Sequence, residues 1–380
     1  LLSLDDKVYN YFNNPSYKKN GLDNLTIRHL LTMTLGQDTW PTIDKEYDWS
    51  ERIFDKQVTY EPGTKFFYNS MTSHMLSTIV TKVTGKNESE FLKDNFFNYC
   101  GIDDYYWVED PKGNSVGGFG LFIPGKDLVK LGLLYLNKGV INGHRILSEE
   151  WCKMATSKQV NTASEYPVNR TQSTQGYGFQ QWMCTNYGYR ASGLFGQMCV
   201  VLPKENIIFS VNSSTAGSQP ILDAFLKTIY AHIYNHRLPE NSENREQINN
   251  AIKELDTKPL QNFYDSKYQE KINGRELLYK DTSDILKLSF YKDVCNMMLK
   301  VDGKEYNCRL GKNCFEESQN GFDQYLIGIS GYQRLTSTRS KNYAPITYGS
   351  YAWVSKTHLK VMIIFKDHTS YNYWDIYFDD

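Results

Sequence analysis

The sequence predicts two bodies of different class. Residues 1–237 read as an α+β domain, an antiparallel sheet flanked by helices, and residues 260–380 as a small all-β antiparallel sheet or barrel. Three observations carry this. Apolar residues recur at helical spacing as far as about Ala155. From Gly176 the period shortens to two. Leu238–Arg245 is a polar break, and residues 238–259 read as a linker with a short helix, Gln247–Leu255, before β-type segments take over.

Composition narrows the function classes. The 380 residues carry 42 Lys plus Arg against 43 Asp plus Glu, a formal charge of −1, so there is no basic footprint for nucleic acid. No run of about 18 apolar residues exists, so no membrane span is expected in this stretch. The seven cysteines are scattered, none in a Cys-x-x-Cys pair and none with His at ligand spacing. We therefore expect no metal and reduced thiols.

The first helix is expected over Leu25–Leu35, with Thr26 as its cap, Ile27, Leu30 and Leu31 on one face and Gly36 beyond its end. His29 in that helix reads as structural or solvent-facing. Glu61-Pro62-Gly63-Thr64 is a turn, and Lys65–Tyr68 a short extended piece. A helix then starts near Ser70, places Met71, Met75, Leu76 and Ile79 on an apolar face and stops at Gly85; another runs over Ser89–Tyr99. Gly117-Gly118-Phe119-Gly120 lacks the Lys-Ser/Thr ending of a phosphate loop and reads as a tight turn. Lys126–Leu136 is helical, and Ser148 caps the next helix.

Gly176–Trp182 alternates as a strand, and Met198–Leu202 and Ile207–Val211 form a hairpin across Pro203-Lys204-Glu205-Asn206. Pro220–Tyr234 is an amphipathic helix whose Leu222 and Phe225 should pack on the sheet. In the last third, strands are expected over Ile285–Phe290, Asn296–Val301, Asp323–Ile329, Tyr351–Val354, Leu359–Phe365 and Tyr373–Phe378, with Asp302-Gly303 as a hairpin turn.

Tyr68 stands where an extended piece hands over to a helix, a junction that exposes side chains. If residues 67–70 are extended, Tyr68 and Ser70 point the same way. The order of several motifs adds to this. The segments Leu2–Val8 and Leu25–Thr34, then Glu61-Pro62-Gly63-Thr64-Lys65-Phe66-Phe67-Tyr68-Asn69-Ser70, Gly118-Phe119-Gly120-Leu121, Gly176-Tyr177-Gly178-Phe179 and Gly193-Leu194-Phe195-Gly196-Gln197 occur in that sequence. Together they resemble the β-lactamase-related serine hydrolases, the superfamily of class C β-lactamases, DD-peptidases and esterases, over residues 1–237.

The resemblance implies a Ser nucleophile in a Ser-x-x-Lys motif, acylated by a small-molecule or peptidoglycan-like ester or amide, with no cofactor. Tyr68 matches the family tyrosine that takes and returns the Ser proton, a role in which a nearby ammonium favours the phenolate. Asn69 and Ser70, with Ala191, Ser192 and Gly193, fall in the substrate-binding or oxyanion region. Two departures stand out: Tyr68-Asn69-Ser70 replaces the common Tyr-x-Asn, and the strand motif Lys-Thr-Gly or His-x-Gly is absent. Arg190 either restores that lost charge or lies on the surface. Ser16-Tyr17-Lys18-Lys19 has the nucleophile pattern but reads as a loop, so the motif is expected about twenty residues before Leu2, in a longer chain. The alternative is a catalytically silent relative that binds or senses a peptidoglycan-like ligand.

Overall fold

A computed structural model describes residues 2–41, 48–213, 215, 217–234, 236–255, 257–278, 282–301, 303–319, 346–365 and 371–379. The expected strand Asp323–Ile329 and the turn residue Asp302 lie outside these. The chain divides into two units, Leu1–Tyr230 and Ala231–Asp380.

In the first unit, helix α1 (Ile27–Leu31) is shorter than the sequence suggests. Its start is secured by the Thr26 N–H donating to His29 Nδ1 (3.3 Å). It ends because Met33 turns into left-handed backbone (φ 58°) and receives the Phe67 N–H on its carbonyl. Helix α2 (Ser70–Thr84) begins at Asn69, whose Oδ1 accepts from Met71 N (2.9 Å), and ends at Gly85 with φ 72°. Met71, Met75 and Ile79 are fully buried along it. Helices α3 (Gly125–Leu136) and α4 (Glu149–Ala155) follow, the latter capped by Ser148 as expected.

The sheet is β1 (Trp182–Met183), β2 (Tyr189–Ser192), β3 (Met198–Leu202) and β4 (Ile207–Val211), antiparallel and paired in that order. Period two divides β3 between two faces. Met198, Val200 and Leu202 cluster with Leu222 and Leu226 of helix α5 (Gln219–Tyr230), where Phe225 stacks on Phe209 at 3.9 Å. Cys199 and Val201 face α3, and Gly132 lets that helix approach closely: an added Cβ would lie 2.8 Å from Cys199 Sγ. Helices thus cover both faces, the mixed α+β class the sequence predicts.

One segment departs from expectation. Of Gly176–Trp182, only Trp182 joins the sheet. Residues 176–181 fold back, with Tyr177 bridged to Val160 and Trp182, Phe179 N–H on the Ala155 carbonyl and Gln180 left-handed at φ 58°. Gly178 permits this, since a Cβ there would lie 2.2 Å from the Ala155 carbonyl oxygen.

The second unit opens with helix α6 (Ser242–Glu254), which takes in part of the stretch expected as linker. Strands β5 (Glu276–Leu278), β6 (Ile285–Tyr291), β7 (Val294–Val301), β8 (Lys304–Lys312), β9 (Glu316–Gln319), β10 (Ile346–Trp353), β11 (His358–Phe365) and β12 (Tyr371–Tyr377) make one sheet. Its order is β12-β11-β10-β8-β7-β6-β5, with β9 paired to β10. All pairings are antiparallel except β8 with β10, which run parallel over Leu310–Lys312. Among the described residues nothing pairs β5 to β12. The core on one face is filled by Leu288, Cys295, Leu310, Tyr351, Trp353, Leu359 and Val361.

Candidate active site

The extended piece ending at Tyr68 is placed by Met33. Besides holding Phe67 through its carbonyl, Met33 sends its sulfur under the start of α2, where it accepts from Thr72 Oγ1 (2.8 Å) and from the Asn69 N–H (3.5 Å). Tyr68 is thereby set against Trp182, stacked at 5.5 Å between ring centroids, with Tyr177 edge-on at 6.3 Å. The ring is half-buried in a cluster with Met33, Phe66, Tyr177 and Trp182, more embedded than a side chain opening freely onto a cleft. Among the described residues no group hydrogen-bonds its hydroxyl. Burial holds the phenol above its ordinary value, and among the described residues no ammonium opposes this, so here Tyr68 is neutral at neutral pH.

Tyr68 and Ser70 do not share one extended face. Asn69 is extended (φ −141°, ψ 109°), but Ser70 is already the first helical residue, half-buried at the mouth of α2. Asn69 is fully buried and serves as the helix cap, and among the described residues nothing pairs with its Nδ2. The Gly117–Gly120 cluster forms a turn, as expected, and also lets the chain press against α2. A Cβ on Gly118 would lie 2.2 Å from the Ser70 carbonyl oxygen, and one on Gly117 2.3 Å from that of Ser73. Behind them His74 Nε2 meets Asp110 Oδ2 (3.2 Å), both fully buried. Asp110 also accepts from Lys112 N, Asn114 N and Asn114 Nδ2; burial would raise its carboxyl, but the imidazole and the two Asn114 bonds hold it below the usual range.

On the strand side, Gln180 joins three elements. Its backbone N–H donates to Leu31 O (3.0 Å), its Nε2 to the Leu30 and Leu31 carbonyls, and its Oε1 accepts from Ser73 Oγ (2.6 Å). Trp182 then pairs with Arg190 across β1–β2. Pairing with β1 stops there, whereas Ala191 and Ser192 continue to pair with Cys199 and Met198 of β3. Among the described residues the Ala191–Ser192 main chain therefore has no strand partner on the side nearest Trp182, and Gly193 turns the chain by donating to Gln197 O (2.8 Å). An exposed strand edge of this kind can hold an extended ligand or direct an N–H at an oxyanion. The six anticipated residues thus fall into two groups, Tyr68–Ser70 and Ala191–Gly193, linked through Trp182.

Arg190 fits neither expectation. It is buried, its Nη1 donates to Gln172 O (3.0 Å) and Met183 O (3.3 Å), and its guanidinium lies 5.6 Å from the Trp182 ring. Strand period explains this: Arg190 shares a covered face with Trp182 and Val200. Ser16–Lys19, expected as a loop, is a four-residue helix beside the Trp49–Asp55 turn, tied there by Asn20 Nδ2 to Phe54 O. Met33, Gln180, Trp182 and the His74–Asp110 pair went unrecognised in the sequence; Trp182 alone had a signal, the aromatic alternation. Among the described residues no three His, Cys, Asp or Glu converge to hold a metal ion, and no helix is long and apolar enough to cross a membrane.

Residues 1–228 match the family model described as Beta-lactamase. The chain is 25% identical over 241 residues to an uncharacterized protein of Alkalihalophilus pseudofirmus, covering 55% of this chain and 65% of that one. It is 26% identical over 187 residues to the 6-aminohexanoate-dimer hydrolase of Paenarthrobacter ureafaciens, covering 45% and 48%. The chain thus spans less than two thirds of the length of either relative. Among solved structures, the octameric penicillin-binding protein homologue from Pyrococcus abyssi is similar at 18% identity and TM-score 0.47, covering 98% of this chain and 82% of that one.

Proposed function

The chain belongs to the β-lactamase family, and on that premise we propose that the full-length protein is a serine hydrolase that opens a small ester or amide through an acyl-enzyme. The observation that carries this is Tyr68, a phenol at the start of α2 whose hydroxyl is not engaged and whose ring is fixed on Trp182, beside the unpaired edge of Ala191–Ser192. The 6-aminohexanoate-dimer hydrolase among the relatives supports the ester or amide class.

In this reading the nucleophilic hydroxyl belongs to a Ser-x-x-Lys motif. Its oxygen bonds to the acyl carbon while its proton passes to Tyr68, which returns it to the leaving oxygen or nitrogen as that bond breaks. Because burial alone would keep Tyr68 protonated, the step requires a cation against the phenol, which is the part the motif lysine plays. The Ala191–Gly193 main chain contributes an N–H to the oxyanion, and water then releases the acid.

The test is turnover of p-nitrophenyl esters by the full-length protein, with intact-mass detection of a single retained group after fluorophosphonate treatment. Turnover and one adduct are expected. Ligand binding with neither would make the protein a silent relative instead.

A further inference from the structure

Trp182 is ringed by three phenols. Tyr68 stacks on it, while Tyr177 (5.0 Å) and Tyr166 (5.6 Å) meet it edge-on. Tyr68 and Tyr166 are both half-buried and pack against one cluster with Tyr177, Phe66 and Met33. The three lie within electrostatic reach of one another: burial raises the Tyr166 and Tyr177 phenols, and the Tyr68 phenol beside them raises both further. Among the described residues no group hydrogen-bonds the hydroxyl of Tyr166 or of Tyr177.

Packing does not account for the Tyr166 oxygen. Phe66 meets Trp182 edge-on at the same 5.6 Å with no hydroxyl, so a bare ring would serve the cluster as well. Tyr166 is nevertheless held in place. Its loop is closed by Thr162 Oγ1 donating to Ser173 O (2.7 Å) and fastened to the sheet by Arg190 Nη1 donating to Gln172 O (3.0 Å). Glu165 also ties the loop to Lys65 (3.9 Å), on the extended piece that ends at Tyr68. A hydroxyl withdrawn from water without a protein partner costs stability, and a ligand acceptor recovers that cost.

We propose that Tyr166 donates a hydrogen bond to the leaving group, so that the hydrolase favours esters and amides whose departing alcohol or amine carries an acceptor oxygen. This rests on the hydrolase reading above. Tyr68 returns its proton to the leaving atom, so that atom must come within hydrogen-bond reach of the Tyr68 hydroxyl. The rest of the leaving group then meets the residues that share the Tyr68 cluster, while the acyl carbonyl turns to the Ala191–Gly193 main chain. A fixed phenol there discriminates against a leaving group without an acceptor, because its own hydroxyl would stay unpaired.

The test uses the full-length protein, wild type and Tyr166→Phe, with three esters and thermal midpoints alongside. The esters are p-acetylphenyl acetate, p-ethylphenyl acetate, which lacks the acceptor, and p-acetylphenyl butyrate, which changes only the acyl side. Comparing the two proteins cancels the intrinsic reactivity of each ester. Tyr166→Phe should lower the acetylphenyl-to-ethylphenyl ratio of kcat/KM by about five- to ten-fold, the worth of one hydrogen bond. The acetate-to-butyrate ratio and the midpoint should stay where they are. An unchanged first ratio overturns the proposal and leaves the hydrolase reading intact. Equal loss on all three esters with a lowered midpoint would make Tyr166 a packing residue and overturn it too, and a shift confined to the acetate-to-butyrate ratio would do so by placing Tyr166 on the acyl side. Absence of turnover in wild type on all three esters would remove both.

Discussion

The two units place their irregular backbone differently. In the second, the described left-handed residues Lys292 and Asn313, with Gly274 and Gly303, all lie outside the strands, and the core is built from side chains at strand period two. In the first, five bulky residues are left-handed, Met33, Lys138, Gln180, Tyr187 and Phe195; Met33 and Gln180 flank the start of α2, and Phe195 follows the end of β2. Among the described residues of the first unit, Gln37, Asn69, His74, Thr78, Arg190 and Ser210 each bury a polar atom without a partner, Asn69 and Arg190 beside Tyr68 and Trp182, against only the Tyr351 hydroxyl in the second unit. The second unit reads as a body held by apolar burial. The Tyr68 corner tolerates strain and unsatisfied polarity, which native proteins keep where geometry serves a ligand.

The contrast can be broken by substitution. The largest stability effect is expected in the regular sheet: Trp353→Ala should destabilise the second unit by about 3–5 kcal/mol, read by denaturant unfolding, while hydrolysis per folded molecule holds. Lost hydrolysis in a molecule whose first unit is intact would show that the division of labour is wrong. Gly118→Ala comes next. Its methyl must displace the Ser70 carbonyl, so about 1–3 kcal/mol of stability and much of the turnover should go together. Asn69→Ala removes a helix cap for about 1 kcal/mol, and Asn69→Ser, which keeps a capping oxygen, should recover most of it.

A separate effect concerns pH. Burial pushes the Glu88 carboxyl up to about 7, with Ser77 opposing. A carboxyl that holds its proton more tightly when folded favours the folded state at low pH, so this contribution declines as pH rises from about 4.5 to 7. Thermal midpoints across that window should fall less steeply in Glu88→Gln; identical slopes would deny Glu88 the role.

Much of this arrangement was legible in the residues. Thr26, Ser148 and Gly85 mark helix ends by capping chemistry, Met71, Met75 and Ile79 mark a buried face, and Met198–Val211 reads as a hairpin on both period and turn. Gly176–Trp182 misled because an alternating run fits a strand and a folded-back loop equally; contact with the Ala155 carbonyl decides, and local pattern does not contain it. The left-handed turns at Met33, Gln180 and Phe195 had no signature, since nothing in a Met, Gln or Phe announces positive φ. Tyr68 was placed by motif order rather than by its own chemistry, which the structure renders as a half-buried, neutral phenol.

The most direct measurement is therefore Tyr68→Phe in the full-length protein, followed by ester hydrolysis and thermal midpoint on the same preparation. The ring and its stack on Trp182 remain, and the hydroxyl has no hydrogen bond to lose among the described residues. Turnover is expected to fall by about 10²–10⁴ with the midpoint nearly unmoved. Wild-type turnover in the Phe variant would contradict the assignment of Tyr68 as the proton carrier.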